Sequence, residues 1–171
     1  FNSDTLYLEF TSQKLPFGYN GTFTDDRDVL VIDSTASYLK HTNIYDKDHN
    51  KTINSFNIKI GRQFDCDVVQ KSNYIGVASE SVRYLIDERA EKQRENVLKR
   101  FQLRQVKILQ LNYHEKKDIT PIITENVEYY IPQIAQIANN SAIIPFNQVT
   151  LLNDFKRVNN RKSNIIIQRS E

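Results

Sequence analysis

Asp65-Cys66-Asp67-Val68 places two carboxylates two residues apart, the spacing with which some phosphotransfer enzymes hold Mg²⁺. Such sites follow a buried apolar strand, which delivers both acids at its carboxyl end. Here Ile60-Gly61-Arg62-Gln63-Phe64 comes first, which is not such a strand. On an alternating strand both aspartates would share the solvent side. Asp46-Lys47-Asp48-His49-Asn50 alternates oxygen donors as a calcium loop does. The glycine needed at the sixth position is Lys51, however, and the bidentate acid needed at the twelfth is Asn57, so a solvated turn is expected. Asp33 ends the apolar run Val29–Ile32, where α/β enzymes often place an acid. Ser34-Thr35-Ala36-Ser37 follows in place of a glycine-rich turn, which points to capping. Glu115-Lys116-Lys117 supplies the Glu-x-Lys of metal-assisted nucleases without a clear acidic partner.

The remaining chemistry-bearing residues are equally sparse. His41, His49 and His114 stand in polar surroundings at irregular spacing and read as surface residues. Cys66 has no companion Cys/His pattern and reads as a small core residue. A metal-dependent phosphotransfer or nuclease activity is therefore the least supported function. No catalytic residue, metal ligand or cofactor is expected.

Composition narrows the classes further. The chain has 171 residues, 39% hydrophobic and 11% aromatic, enough for a core and against disorder. Four glycines and four prolines leave little for phosphate-cradling loops. One cysteine excludes an internal disulfide and points to a reducing, intracellular setting. Sequons at Asn20, Asn50 and Asn139 are what an Asn-, Ser- and Thr-rich chain yields by accident. No apolar run approaches the roughly 20 residues that span a bilayer. The start at Phe1 rather than Met reads as a fragment or a processed form.

Charge is unevenly distributed behind a net +2. Six acids between Phe1 and Asp33 face only Lys14 and Arg27. Eight bases between Arg83 and Lys107 face Asp87, Glu88, Glu91 and Glu95. Such polarity orients partners or neutralises itself inside the fold.

The elements that must position these residues follow from periodicity. Leu6, Leu8 and Phe10 alternate as a strand. Asn20-Gly21 reads as a type I′ turn, and Val29–Ile32 as a central buried strand. Phe56, Ile58 and Ile60, then Phe64, Cys66 and Val68, predict a hairpin or bulged strand breaking at Gly61. Ser79 is the expected N-cap of one long charged helix over about 79–104. Its middle, Asp87 to Asn96, has Ala90 as the only apolar residue. Val106–Tyr113 then reads as a strand buried on both faces, with a single helix running through Leu111 as the alternative, and His114–Asp118 as a loop. Thr120-Pro121 and the spacing of Ile123, Val127, Tyr130, Ile134 and Ile137 predict a second helix over about 121–139. Ala142–Phe146 and Ile165–Ile167 are short strands, and Asn147–Val158 is a short helix or hairpin arm.

The expected architecture is a single α+β domain over 1–171, a mostly antiparallel sheet packed by those two helices. A helix polar all round crosses solvent or lies against a partner. The expected function is thus a non-catalytic protein-interaction or assembly domain, a module of a larger complex. Its partner-binding residues are Tyr84, Arg94, Lys99, Arg100 and Phe101, with Tyr129 and Tyr130 as further anchors. The alternative is nucleic-acid binding through the basic 83–107 helix, its aromatic neighbours stacking on bases. Four interspersed acids and an isoelectric point near 8.6 count against that alternative.

Overall fold

A computed structural model describes residues 7, 8, 10–12, 14–101, 105–139 and 141–144. It is an α+β structure. A short helix α1 (Gly21–Thr24) precedes a hairpin of β1 (Asp28–Val31) and β2 (Tyr38–His41). Next come β3 (Lys51–Ile60), β4 (Cys66–Ile75), α2 (Val77–Ile86), α3 (Ala90–Arg100), β5 (Lys107–Lys116) and β6 (Ile122–Ile131). The strands β7 (Gln136–Ala138) and β8 (Ser141–Ile143) pair with each other.

The main sheet has the order β3-β4-β6-β5, and every neighbouring pair is antiparallel. Its register carries one row through Ile58, Val68, Tyr129 and Ile108. Strand alternation puts Cys66, Val68 and Ser72 of β4 on one face with Ile123, Glu125, Val127, Tyr129 and Ile131 of β6, all buried. Val82 and Leu85 of α2 cover Ile123 at one end of that face. Val97 of α3 packs at the other end with Cys66, Val68, Val127, Tyr129 and Ile134. Among the described residues, no helix lies on the opposite face.

One expected long helix is two. α2 ends at Ile86, and Arg89 takes an extended conformation before α3 begins. Between Ile86 and Val97 only Ala90 is apolar, too little to hold a straight rod on the sheet. The break lets both helices turn their few apolar residues inward, and Gln93 Nε2 caps the Leu85 carbonyl at 2.8 Å. Gly76, not Ser79, is the N-cap, at φ 61. Ser79 Oγ instead donates to the Gly76 carbonyl at 2.6 Å.

The second expected helix is the strand β6. Ile123, Val127 and Ile131 fit both a four-residue and a two-residue repeat, and the intervening buried position, 125, holds a glutamate. That carboxylate masks the alternation in the sequence. Pro121 and Pro132 flank the strand rather than start and break a helix.

Three further expectations change. Val29–Ile32 is not a central strand: β1 pairs only with β2 among the described strands, and Leu30 and Ile32 are exposed. Tyr7, Leu8 and Phe10 are not in a strand, while Leu6 and Glu9 lie outside the described residues. Asn20-Gly21 opens α1 rather than a hairpin turn. The β3–β4 hairpin breaking at Gly61 and the strand after Val106 are borne out, although β5 runs on to Lys116 and is half exposed. β8 matches the start of the expected 142–146 strand. Phe146 and the elements expected over 147–167 lie outside the described residues. No helix among these residues is long and apolar enough to cross a membrane.

Candidate functional site

The expected partner-binding residues separate into two environments. Tyr84 is exposed on α2, and its hydroxyl donates to Asn96 Oδ1 of α3 at 3.3 Å, joining the two helices. Arg94 and Leu98 are exposed on α3, two positions either side of Asn96 and so turned away from Tyr84. Lys99 is exposed too, but its Nζ lies 2.6 Å from Glu95, which Lys92 also approaches at 3.3 Å. Phe101 turns inward, its ring centroid 4.7 Å from that of Tyr129. Arg100 reaches the buried Glu125 of β6. Tyr129 is buried, and Tyr130 stands on the helix-free face.

The basic helix is largely neutralised from within. Arg83 pairs with Glu115 at 2.7 Å and Asp87 at 3.4 Å, and Lys14 also meets Asp87 at 2.7 Å. Lys92 and Lys99 share Glu95, holding its carboxyl below the usual range. Arg104 lies outside the described residues.

Glu125 anchors the most elaborate polar cluster. It is 1% exposed and accepts from Tyr113 Oη at 2.6 Å and Arg100 Nη2 at 2.5 Å, while Tyr74 Oη lies 3.4 Å away. Arg100 Nη1 donates to Tyr74 Oη at 2.8 Å. Burial and the adjacent carboxylate push both phenols above the ordinary tyrosine range. Every strong donor aimed at the carboxylate is thus already protonated and engaged. The cluster satisfies itself and works as a structural lock rather than a proton-transfer site.

The hairpin presents an exposed apolar surface that the sequence reading missed. Leu30 and Leu39 stand opposite each other in the register, 62% and 71% exposed, and Ile32 is 82% exposed. Thr42 ties the hairpin's base down: its Oγ1 accepts from Arg27 N at 2.9 Å and donates to the Thr24 carbonyl at 2.7 Å. On the Leu30–Leu39 face, His41 Nδ1 lies 2.7 Å from Asp28 Oδ1 and Nε2 lies 2.8 Å from Asp26 Oδ1. Only the imidazolium donates from both nitrogens, and these two carboxylates, Asp28 foremost, raise the imidazole pKa. The signal was present in the sequence: Asp26, Asp28 and Asp33 crowd an apolar run that a central strand would not flank with three charges.

The remaining candidates stay apart. Asp65 sits in the Gly61–Asp65 turn, whereas Asp67 points from β4 to the helix-free face. Asp46 accepts from His49 Nδ1 at 2.7 Å and from the amides of Asp48 and His49, so it caps its own turn. Asp33 does the same for Ser34 and Thr35. Cys66 is buried, and burial pushes its thiol pKa up. Among the described residues, no three His, Cys, Asp or Glu side chains converge as metal ligands would. Asn20 and Asn50 are buried, so the fold leaves no room for a glycan on either side chain. Comparison with protein-family models, with curated proteins and with solved structures finds no match.

Proposed function

We propose that the chain is a non-catalytic protein-interaction module that offers the β1–β2 hairpin to a protein partner. One observation carries the reading: Leu30 and Leu39 lie exposed opposite each other on a two-stranded ribbon that no third described strand joins, with Ile32 exposed just past its end. Two-stranded ribbons are marginal alone, and clustered apolar exposure marks a docking surface. A partner strand or groove would cover the leucine pair while Asp26, Asp28 and Asp33 rim it with charge. Arg94 and Leu98, one turn apart and exposed on α3, supply a second contact patch. Nucleic-acid binding through the helix is less favoured, because Arg83, Lys92, Lys99 and Arg100 already have carboxylate partners.

Photo-crosslinking tests this directly. A benzophenone side chain is placed at Leu39 and, as a control, at Asn57 on the helix-free face. The expected result is one dominant protein adduct at Leu39, absent at Asn57 and lost when Leu30 becomes Asp. Equal labelling from both positions would sink the proposal.

A further inference from the structure

We propose that the helix-free face of the main sheet is a second binding surface, one that takes single-stranded nucleic acid across five exposed lysines. The inference is independent of the hairpin. Alternation sends Lys51 and Lys59 of β3, Lys71 of β4, and Lys107 and Lys116 of β5 to this face. All five are exposed, and among the described residues only Lys116 has an ion pair, to Asp118 at 3.1 Å. Asp67 and Glu128 are the only acids that the described strands place on the same face, leaving these strands a balance of +3 there. The bases absorbed on the helix side thus reappear, mostly unabsorbed, on the opposite side of the sheet.

The arrangement suits an extended polyanion. Lys51 and Lys116 end the first cross-strand row, Lys59 and Lys107 end the last, and Lys71 lies in the middle row beside Asn126 and Asn112. Strand geometry puts the outer lysines about 14 Å apart across the sheet and about 27 Å apart along it. Lysines at sheet edges also discourage edge pairing, which accounts for four of the five. It does not account for Lys71 on an interior strand. Between the lysines the face mixes polar side chains with the exposed Ile53 and Val69. Asn126 Nδ2 donates to Asn112 Oδ1 at 3.0 Å, and Thr124 Oγ1 donates to Asn73 Oδ1 at 2.8 Å. Tyr130, half-buried in the last row, offers a ring for stacking. A flat face with no protruding helix or ribbon cannot enter a duplex groove, but unpaired bases can lie on it.

The test is fluorescence anisotropy of the full chain with labelled 12-nucleotide oligo(dT) and oligo(U), at about 50 and 200 mM salt. Three to five phosphate contacts predict an affinity loss of about 20- to 130-fold between those salts, from a slope of about −0.7 per contact. Lys59→Glu/Lys71→Glu/Lys107→Glu should weaken binding at least tenfold. The milder Lys→Gln triple should act in the same direction, should charge reversal disturb the strands. Tyr130→Ser should cost about fivefold or more. Arg89→Glu/Lys92→Glu, at the start of α3, should leave affinity unchanged. No binding at 50 mM salt, or loss only in the α3 variant, overturns the proposal. Equal affinity for duplex DNA, heparin or anionic vesicles overturns the single-strand assignment.

Discussion

Arg100, the last residue of α3, and Glu125, in the middle of β6, meet at 2.5 Å between the two apolar clusters of the covered face. Ile123 belongs to one cluster and Val127 to the other, so the carboxylate sits at their boundary. α3 has Val97 as its only buried residue and gains most of its attachment from this pair, from the capping by Gln93 and from the Tyr84–Asn96 hydrogen bond. A buried carboxylate is costly unless its donors are complete. Here Tyr113 and Arg100 complete them.

Breaking the pair from one side should therefore cost more than removing it. Arg100→Leu leaves Glu125 buried with its phenols alone and should lower the unfolding free energy by about 2–4 kcal/mol. That is below the range for fully buried pairs, because the Arg100 side chain is 41% exposed. Arg100→Leu/Glu125→Leu should recover most of the loss. Urea unfolding of the two single variants and the double variant decides the matter, and strictly additive losses would show that the pair is not the lock.

The same glutamate explains what the sequence hid. With an apolar residue at 125, Ile123 to Ile131 would have read as a strand, and the helical spacing through Ile137 would have lost its appeal. The β3–β4 hairpin and β5 were legible because Phe56, Ile58, Ile60, Cys66 and Val68 keep clean alternation around Gly61. The helix break was not legible: Asp87-Glu88-Arg89 are ordinary helix-surface residues, and only the position of Val97 on the sheet requires a turn there. Of the expected interface residues, Arg100 and Phe101 turn toward the sheet, and Tyr129 and Tyr130 lie in a strand rather than a helix. The hairpin was missed because β-branched runs read as core when nothing indicates what covers them.

His41 should make the hairpin pH-sensitive. Its pKa is raised by Asp28 and then by Asp26. A raised folded pKa gives a stabilisation that is complete below the ordinary imidazole value near 6.5 and lost as pH rises through the higher folded value. Amide protection across Asp28–Val31 and Tyr38–His41, corrected for intrinsic exchange, should fall over that window. In His41→Gln it should show no such step. An unchanged step in that variant would assign the transition to another group.

Gly76 is irreplaceable on steric grounds. Its φ of 61 is left-handed, and a Cβ there would stand 1.9 Å from the His49 backbone oxygen. Backbone cannot yield as a flexible side chain does, and the Gly76 amide also donates to the Pro121 carbonyl at 2.9 Å. Gly76→Ala should cost at least about 3 kcal/mol. Ser81→Ala, on the exposed side of α2, should stay within about 0.5 kcal/mol of the parent. Thermal melts of the two variants side by side test the contrast, and a Gly76→Ala protein melting with the parent would refute the geometry.

Five buried or half-buried phenols should set the alkaline limit of the fold. Burial raises Tyr19, Tyr45, Tyr74 and Tyr113 above the ordinary phenol value near 10, Glu80 adding to Tyr19 and Glu125 to Tyr74 and Tyr113. Tyr129 is pushed up to about 12, chiefly by burial. A raised phenol pKa means that the folded state keeps a proton that the unfolded chain releases, so stability declines as pH climbs above 10. These phenolates should appear in the absorbance titration together with the cooperative loss of circular dichroism, not before it. Tyr113→Phe separates the two effects. At neutral pH it removes a hydrogen bond to a charged acceptor, worth about 1.5–3 kcal/mol. At high pH it removes one of the groups whose ionisation drives unfolding. The variant should thus be less stable at pH 7 and lose stability less steeply above pH 10, and a parallel decline would place the alkaline trigger outside the Glu125 cluster.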